Sequence, residues 1–212
     1  RSLLGDTQAQ WLEDQLSAST ARWQVLGQQV MMGQFKIVGA PNSEGGGNIL
    51  IADQWDGYGS SRQRLWDHVR SAEVRNFVVL TGDIHSSWAM DLTEDPNNPD
   101  YYDPDSGEGS LGVEFVTTSI TSEFDFLNNS GTQFVLDANP HLKVLDFEHR
   151  GYVVLDVTPD RIHGDWYFID DIKDPDAGAE SWAFGYSCAD MSRHMIAAEE
   201  AGDMPDAPEL AP

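Results

Sequence analysis

The stretch FVVLTGDIHSSW, Phe77 to Trp88, decides how this chain reads. Its first four residues are apolar without a break, the pattern of a strand buried on both faces. It turns polar at Gly82, and Asp83 and His85 follow two residues apart, ahead of Ser86 and Ser87. In an extended backbone, residues two apart point the same way, so a carboxylate and an imidazole there can face one site. Gly82 removes a side chain where a ligand would come close. Carboxylate oxygen suits hard cations such as Ca²⁺, Mg²⁺ or Mn²⁺, and imidazole suits Fe, Zn or Mn. One Asp and one His do not complete a site. An ordinary strand ending in a polar turn would present the same letters.

Ahead of this stretch the chain alternates helix and strand. Asp6 reads as an N-cap, and TQAQWLEDQLSAS behind it sets Trp11, Leu12 and Leu16 on one helical face. RWQVLGQQVMM reads as a buried strand with Gln28 and Gln29 in its middle, and APNSEGGGN as a loop. A second amphipathic helix is expected from Ser60 or Ser61, with Leu65, Trp66 and Val69 at helical spacing. Such alternation is the signature of an α/β sheet with crossover helices. Ligands of such sheets bind at the C-terminal ends of strands, where Asp83 and His85 stand.

The second half is different. TEDPNNPDYYDPDSGEG, residues 93–109, is a long acidic loop. GVEFVTTSIT, HLKVLDF, GYVVLDVT and IHGDWYFID are strand-like, with a turn over Thr158–Arg161, and are expected to extend an antiparallel part of the sheet. Residues 1–170 read as one domain. Residues 171–212 read as a C-terminal extension, with a short helix over MSRHMIAAEEAG lying as a lid across the pocket and an acidic tail behind it.

At 40% apolar with seven Trp, nine Phe and six Tyr, the chain of 212 residues can build a sizeable core. No run of about 18 apolar residues is present to cross a membrane as a helix. The charge is lopsided, 36 acidic residues against 12 basic for a net −24, which repels nucleic acid and anionic membranes. A solvated acidic surface and carboxylates that hold Ca²⁺ both account for it. Cys188, alone in the chain, excludes an internal disulfide and reads most simply as a packed small residue.

VLTGDIHSSW resembles the last motif of the PhoD family of alkaline phosphatases, a branch of the metallophosphoesterases that has Gly-Asp-x-His where the wider group has Gly-His-x-His. LLGDTQAQWLEDQLSASTARWQVLGQQVMM, DQWDGYGSSRQRL, GVEFVTTSITS and NPHLKVLDFEHRGYVVLDVTPD resemble family segments in the same order, across residues 1–170. The resemblance implies a four-layer αββα sandwich of which this chain supplies the C-terminal half. It implies hydrolysis of phosphate mono- or diesters at an Fe³⁺ and Ca²⁺ cluster, with His85 on iron and Asp83 on calcium. In the related purple acid phosphatases the strand corresponding to WQVLGQQV ends in a metal-ligating His. Here Gln28 or Gln29 would stand near the second metal, or would satisfy sheet-edge groups instead.

The family's iron-binding Cys and its Gly-Asp-x-x-Tyr and Trp-Asp-Asp-His segments belong to the N-terminal half and do not occur here. An upstream polypeptide, part of the same protein or a separate processed chain, is therefore the expected partner. The chain's start at Arg1 without an initiator Met fits that expectation. The resemblance also implies export, to the periplasm or outside the cell. Asp56 and Tyr58 are candidates to line the pocket, with a helix cap and a packed aromatic as the plainer reading. Asn139 and His141 resemble a segment at the rim, though a turn-forming Asn and a packed His read the same way. Arg150 could neutralise phosphate or pair with carboxylates. A non-catalytic, Ca²⁺-stabilised binding module is the competing reading.

Overall fold

A computed structural model of the chain describes residues 2–122, 127–174 and 178–202. Helix α1 spans Gly5–Ala18 and α2 Gly59–Ser71, and between them lie strand β1, Gln24–Gly27, and the small ribbon β2, Lys36–Val38, with β3, Asn48–Ile49. Strands β4, Phe77–Thr81, β5, Ser87–Leu92, and β6, Gly112–Val116, follow. Helix α3, Thr132–Ala138, leads to β7, Leu142–Asp146. The chain closes with β8, Arg150–Val157, β9, Arg161–Ile169, β10, Glu180–Ala189, and β11, Met195–Ala198.

The strands form a five-stranded sheet in the order β1-β4-β6-β5-β7 and a four-stranded sheet in the order β11-β10-β9-β8. In the first, β1, β4 and β6 run parallel, and β5 lies antiparallel to β6 and β7. The second is antiparallel throughout. Alternation along the strands sends one set of side chains to each face. Phe77, Val79 and Leu92 pack against Leu12 of α1 and Leu65, Trp66 and Val69 of α2. Trp88, Met90 and Val116 pack with Phe35 and with Val135 of α3. From the opposite face Val78, Ala89, Val113 and Phe115 meet Ile162, Trp166, Cys188 and Met195 of the second sheet. The described residues thus build helices, sheet and sheet, a mixed α/β architecture in three layers.

Three expectations change. GVEFV and LKVLD join the first sheet, each antiparallel to β5, whereas GYVVLDVT and IHGDWYFID do not extend it but enter the second. Asp146 turns the chain between the two sheets, its Oδ1 accepting the amides of Glu148 at 3.1 Å and His149 at 2.7 Å. The strand expected over RWQVLGQQVMM stops at Gly27, after which the Met31, Met32 and Gly33 amides donate to the side chains of Gln54 and Glu114 instead of a neighbouring strand. The lid helix expected over residues 191–202 is absent. Met191 and Arg193 take left-handed φ values of 66° and 54°, which no α-helix accommodates. Met195–Ala198 pairs with β10 instead. The acidic tail from residue 203 lies outside the described residues.

Cys188 is buried between the sheets. Beside it, fully buried Asp91 accepts from Tyr102 Oη at 2.8 Å and the Met195 amide at 2.7 Å, lies 2.7 Å from His194 Nδ1, and pairs with Lys143 Nζ at 3.2 Å. This hub joins the acidic loop and β11 to the first sheet, and burial, helped by Asp91, holds the Tyr102 hydroxyl protonated well above its usual range. No helix among the described residues is long and apolar enough to cross a membrane.

Candidate metal centre

The buried strand β4 delivers the chain to Gly82 at the C-terminal edge of the first sheet. There the backbone is not extended. Asp83 and His85 take φ values of 65° and 57°, in the left-handed region that Asp and His enter more readily than most residues. Both residues therefore sit in a tight turn rather than in a continuing strand. The Ile84 amide donates to Gly82 O at 2.7 Å, and the Gly82 amide to Gln29 O at 3.2 Å. Trp88 Nε1 donates to Ser86 Oγ at 2.7 Å, and Ser86 Oγ to Ile84 O at 3.3 Å. Asp83 is exposed and His85 half-buried. Gln54 Nε2 donates to Asp83 Oδ2 at 3.1 Å, and Arg150 Nη1 to His85 O at 2.7 Å.

Gln28 and Gln29 reach this edge, but differently. The Gln28 amide oxygen accepts from Trp55 Nε1 at 2.8 Å, and its nitrogen donates to Val30 O at 2.7 Å. Both ends are thus engaged within the protein. The Gln29 side chain is exposed and makes no hydrogen bond to the described residues. Asp56 sits in a 3-10 turn, pairing with Arg62 at 2.7 Å and accepting the Phe35 amide at 2.8 Å, with Tyr58 half-buried in the same turn.

Asn139 and His141 are buried to 0% and 1% exposure. Asn139 accepts from the Lys36 amide at 2.9 Å and donates to Lys36 O at 2.7 Å and Val135 O at 2.8 Å. His141 Nε2 lies 3.0 Å from Gln34 O, and burial pulls its pKa down to about 3. Neither presents its side chain to solvent, because each is spent on the backbone of the β2 segment. Arg150 is also buried, and its guanidinium serves backbone carbonyls as well as Thr118 Oγ1 at 3.0 Å.

Two buried residues around the turn were missing from the sequence reading. Gln54, 4% exposed, lies in a loop whose letters carry no periodicity. Glu114, 0% exposed, sits amid the apolar run of β6 and accepts from Thr81 Oγ1 at 2.9 Å, the Met32 amide at 2.9 Å and the Gly33 amide at 2.7 Å. Burial raises its pKa to about 7 against the pull of those donors. A charged residue inside a strand as apolar as GVEFV was the available signal.

Asp83 and His85 offer one carboxylate and one imidazole, a donor pair that fits hard and borderline cations. No group of three or more His, Cys, Asp or Glu is gathered for a metal among the described residues.

A family model described as PhoD-like phosphatase matches residues 1–166. Alkaline phosphatase D of Bacillus subtilis (strain 168) is 36% identical over 184 residues, covering 86% of this chain and 29% of that protein. A solved structure described as "Structure of PhoD" superposes with a TM-score of 0.79 at 30% identity, covering 97% of this chain and 37% of that one. The chain therefore spans well under half the length of either relative. By the extent of the family match and of the structural agreement, this chain belongs to the PhoD-like phosphatase family.

Proposed function

We propose that this chain carries the closing part of a multi-metal centre that hydrolyses phosphate mono- or diesters, and that polypeptide upstream of Arg1 completes the centre. The observation that carries the reading is the Gly82–Ser86 turn, which brings a carboxylate and an imidazole to the C-terminal edge of β4 in left-handed conformations held from several sides. Family membership and the description of the Bacillus relative as an alkaline phosphatase support the reaction class. His85 is assigned to Fe³⁺ and Asp83 to Ca²⁺, in line with donor softness. Such cations, when bound, supply charge stabilisation for the phosphoryl oxygens and an activated water. The chain's own contribution is to hold Asp83 and His85 as ligands, not as proton donors. Exposed Gln29 is the remaining amide in reach of a second cation at this edge. The complete protein is exported in this reading.

The test is His85→Ala in the complete protein, upstream residues included. Iron, its charge-transfer colour and phosphatase activity should be lost together, and activity lost with iron fully retained would overturn the ligand role. Calcium without iron in the purified wild type would favour a binding module instead. Residues 1–212 alone turning over a phosphomonoester at the full rate would remove the upstream partner.

A further inference from the structure

The turn that presents Asp83 and His85 places two non-glycine residues in a sparsely populated backbone region. Such a conformation persists only where its surroundings over-determine it. We propose that Arg150 and Gln54 are positioning residues for this turn, Arg150 fixing the His85 backbone and Gln54 fixing the Asp83 carboxylate. The inference rests on the reading of Asp83 and His85 as metal ligands.

Arg150 opens β8 in the second sheet, yet its guanidinium reaches across to the first. Nη1 donates to His85 O at 2.7 Å, to Thr118 Oγ1 at 3.0 Å and to His149 O at 2.8 Å, and Nη2 donates to Phe147 O at 3.2 Å. One planar group thus ties the turn after β4 to the segment after β6 and to the corner between β7 and β8. A rigid fork of donors can serve several fixed acceptors at once, whereas an ammonium on a flexible stem holds them less specifically. The His85 carbonyl is the acceptor on the turn, so the bond fixes the peptide that follows the ligand.

Gln54 acts on the other residue. Its amide oxygen accepts the Met31 amide N–H, which obliges the nitrogen to face Asp83 Oδ2, 3.1 Å away. The orientation of the amide is therefore dictated by the network. Asp83 Oδ1 makes no hydrogen bond to the described residues, so Gln54 anchors one carboxylate oxygen and leaves the other for a ligand. Groups that orient metal ligands in this way typically contribute about 10–100-fold in metal affinity.

The experiment uses the complete protein with Arg150→Met, Arg150→Lys and Gln54→Leu. Iron and calcium retention is titrated against a chelator, and amide hydrogen exchange is followed in the peptide that holds Gly82–Ser86. Arg150→Met should weaken iron retention about 10–100-fold and raise exchange in that peptide while leaving α1 and α2 protected. Arg150→Lys should fall between it and the wild type. Gln54→Leu should weaken calcium retention more than iron. Folded variants with wild-type retention and wild-type exchange would overturn the proposal. If Arg150→Met does not fold, Gln54→Leu and Arg150→Lys decide it by the same two readouts. A wild type that retains neither metal sinks the ligand reading, and the exchange data still decide whether Arg150 and Gln54 hold the turn.

Discussion

Replacing Glu114 by Gln removes a carboxylate buried in β6 beside the strand that leads into the turn, and its effect should change with pH. In the fold the Glu114 pKa stands at about 7, against 4.5 for a free glutamate. Since one pH unit is worth about 1.4 kcal/mol, that gap is worth about 3 kcal/mol. The folded chain binds the proton more tightly than the unfolded one. The stability linked to that proton is therefore fully present below about pH 4.5 and lost as pH rises through about 7. Gln is neutral throughout and lacks this dependence. It carries a separate deficit, because donors from Met32, Gly33 and Thr81 converge on the two carboxylate oxygens. Turning the amide nitrogen toward the Gly33 N–H leaves one donor opposed, at a cost of about 1–3 kcal/mol. Denaturant unfolding of wild type and variant at about pH 5 and about pH 8 measures both effects. The variant should be the less stable at the acid end, and the gap should narrow or reverse by about 2.5 kcal/mol between those two pH values. A gap of constant size would refute the argument, since every other titrating group is common to both chains.

The remaining predictions concern buried polar groups. His141, with its pKa pulled down to about 3 by burial, should cost stability as pH falls from about 6.5 toward that value. His141→Gln should flatten the acid limb of a stability-against-pH curve without shifting the activity profile above neutrality. Asp91→Ala leaves Lys143 and Tyr102 without their buried partner and should destabilise the chain by about 3–5 kcal/mol in thermal or denaturant unfolding. Asn139→Ala forfeits bonds to both backbone groups of Lys36 and to Val135 O. It should lower stability by about 2–3 kcal/mol and leave KM for a phosphomonoester unchanged, as measured by steady-state kinetics.

Much of the fold was legible because burial writes itself as periodicity. The i, i+3, i+4 spacing of Leu65, Trp66 and Val69 marks the inner face of α2, and the unbroken Phe77–Leu80 marks a strand covered on both sides. The position of the turn was legible too, since a strand that ends in Gly-Asp-x-His leaves few places for its polar residues. What failed was whatever depends on the partner rather than the letter. MSRHMIAAEEAG has a helical look, but only the waiting edge of β10 and the amide acceptor on Asp91 make Met195–Ala198 a strand. The burial of Asn139, His141 and Arg150, each hydrogen-bonded to backbone groups of its own chain, was likewise not written in their letters. The partners of Gln54 and Glu114 could not be read locally, since Asp83 lies 29 positions from Gln54 and Thr81 33 from Glu114 along the chain.

The Asp146 corner, where the chain leaves one sheet to begin the other, gives the molecule a mechanical property. Arg150 stands just beyond that corner, as the first residue of β8, and its hand rests on the far sheet at the His85 carbonyl. The spacing between the sheets is thus felt at the His85 peptide as well as at Thr118. Anything that draws β8 outward, whether a ligand on its exposed face or a chain laid along its edge, pulls on the peptide bond next to His85 before it disturbs any other part of the turn.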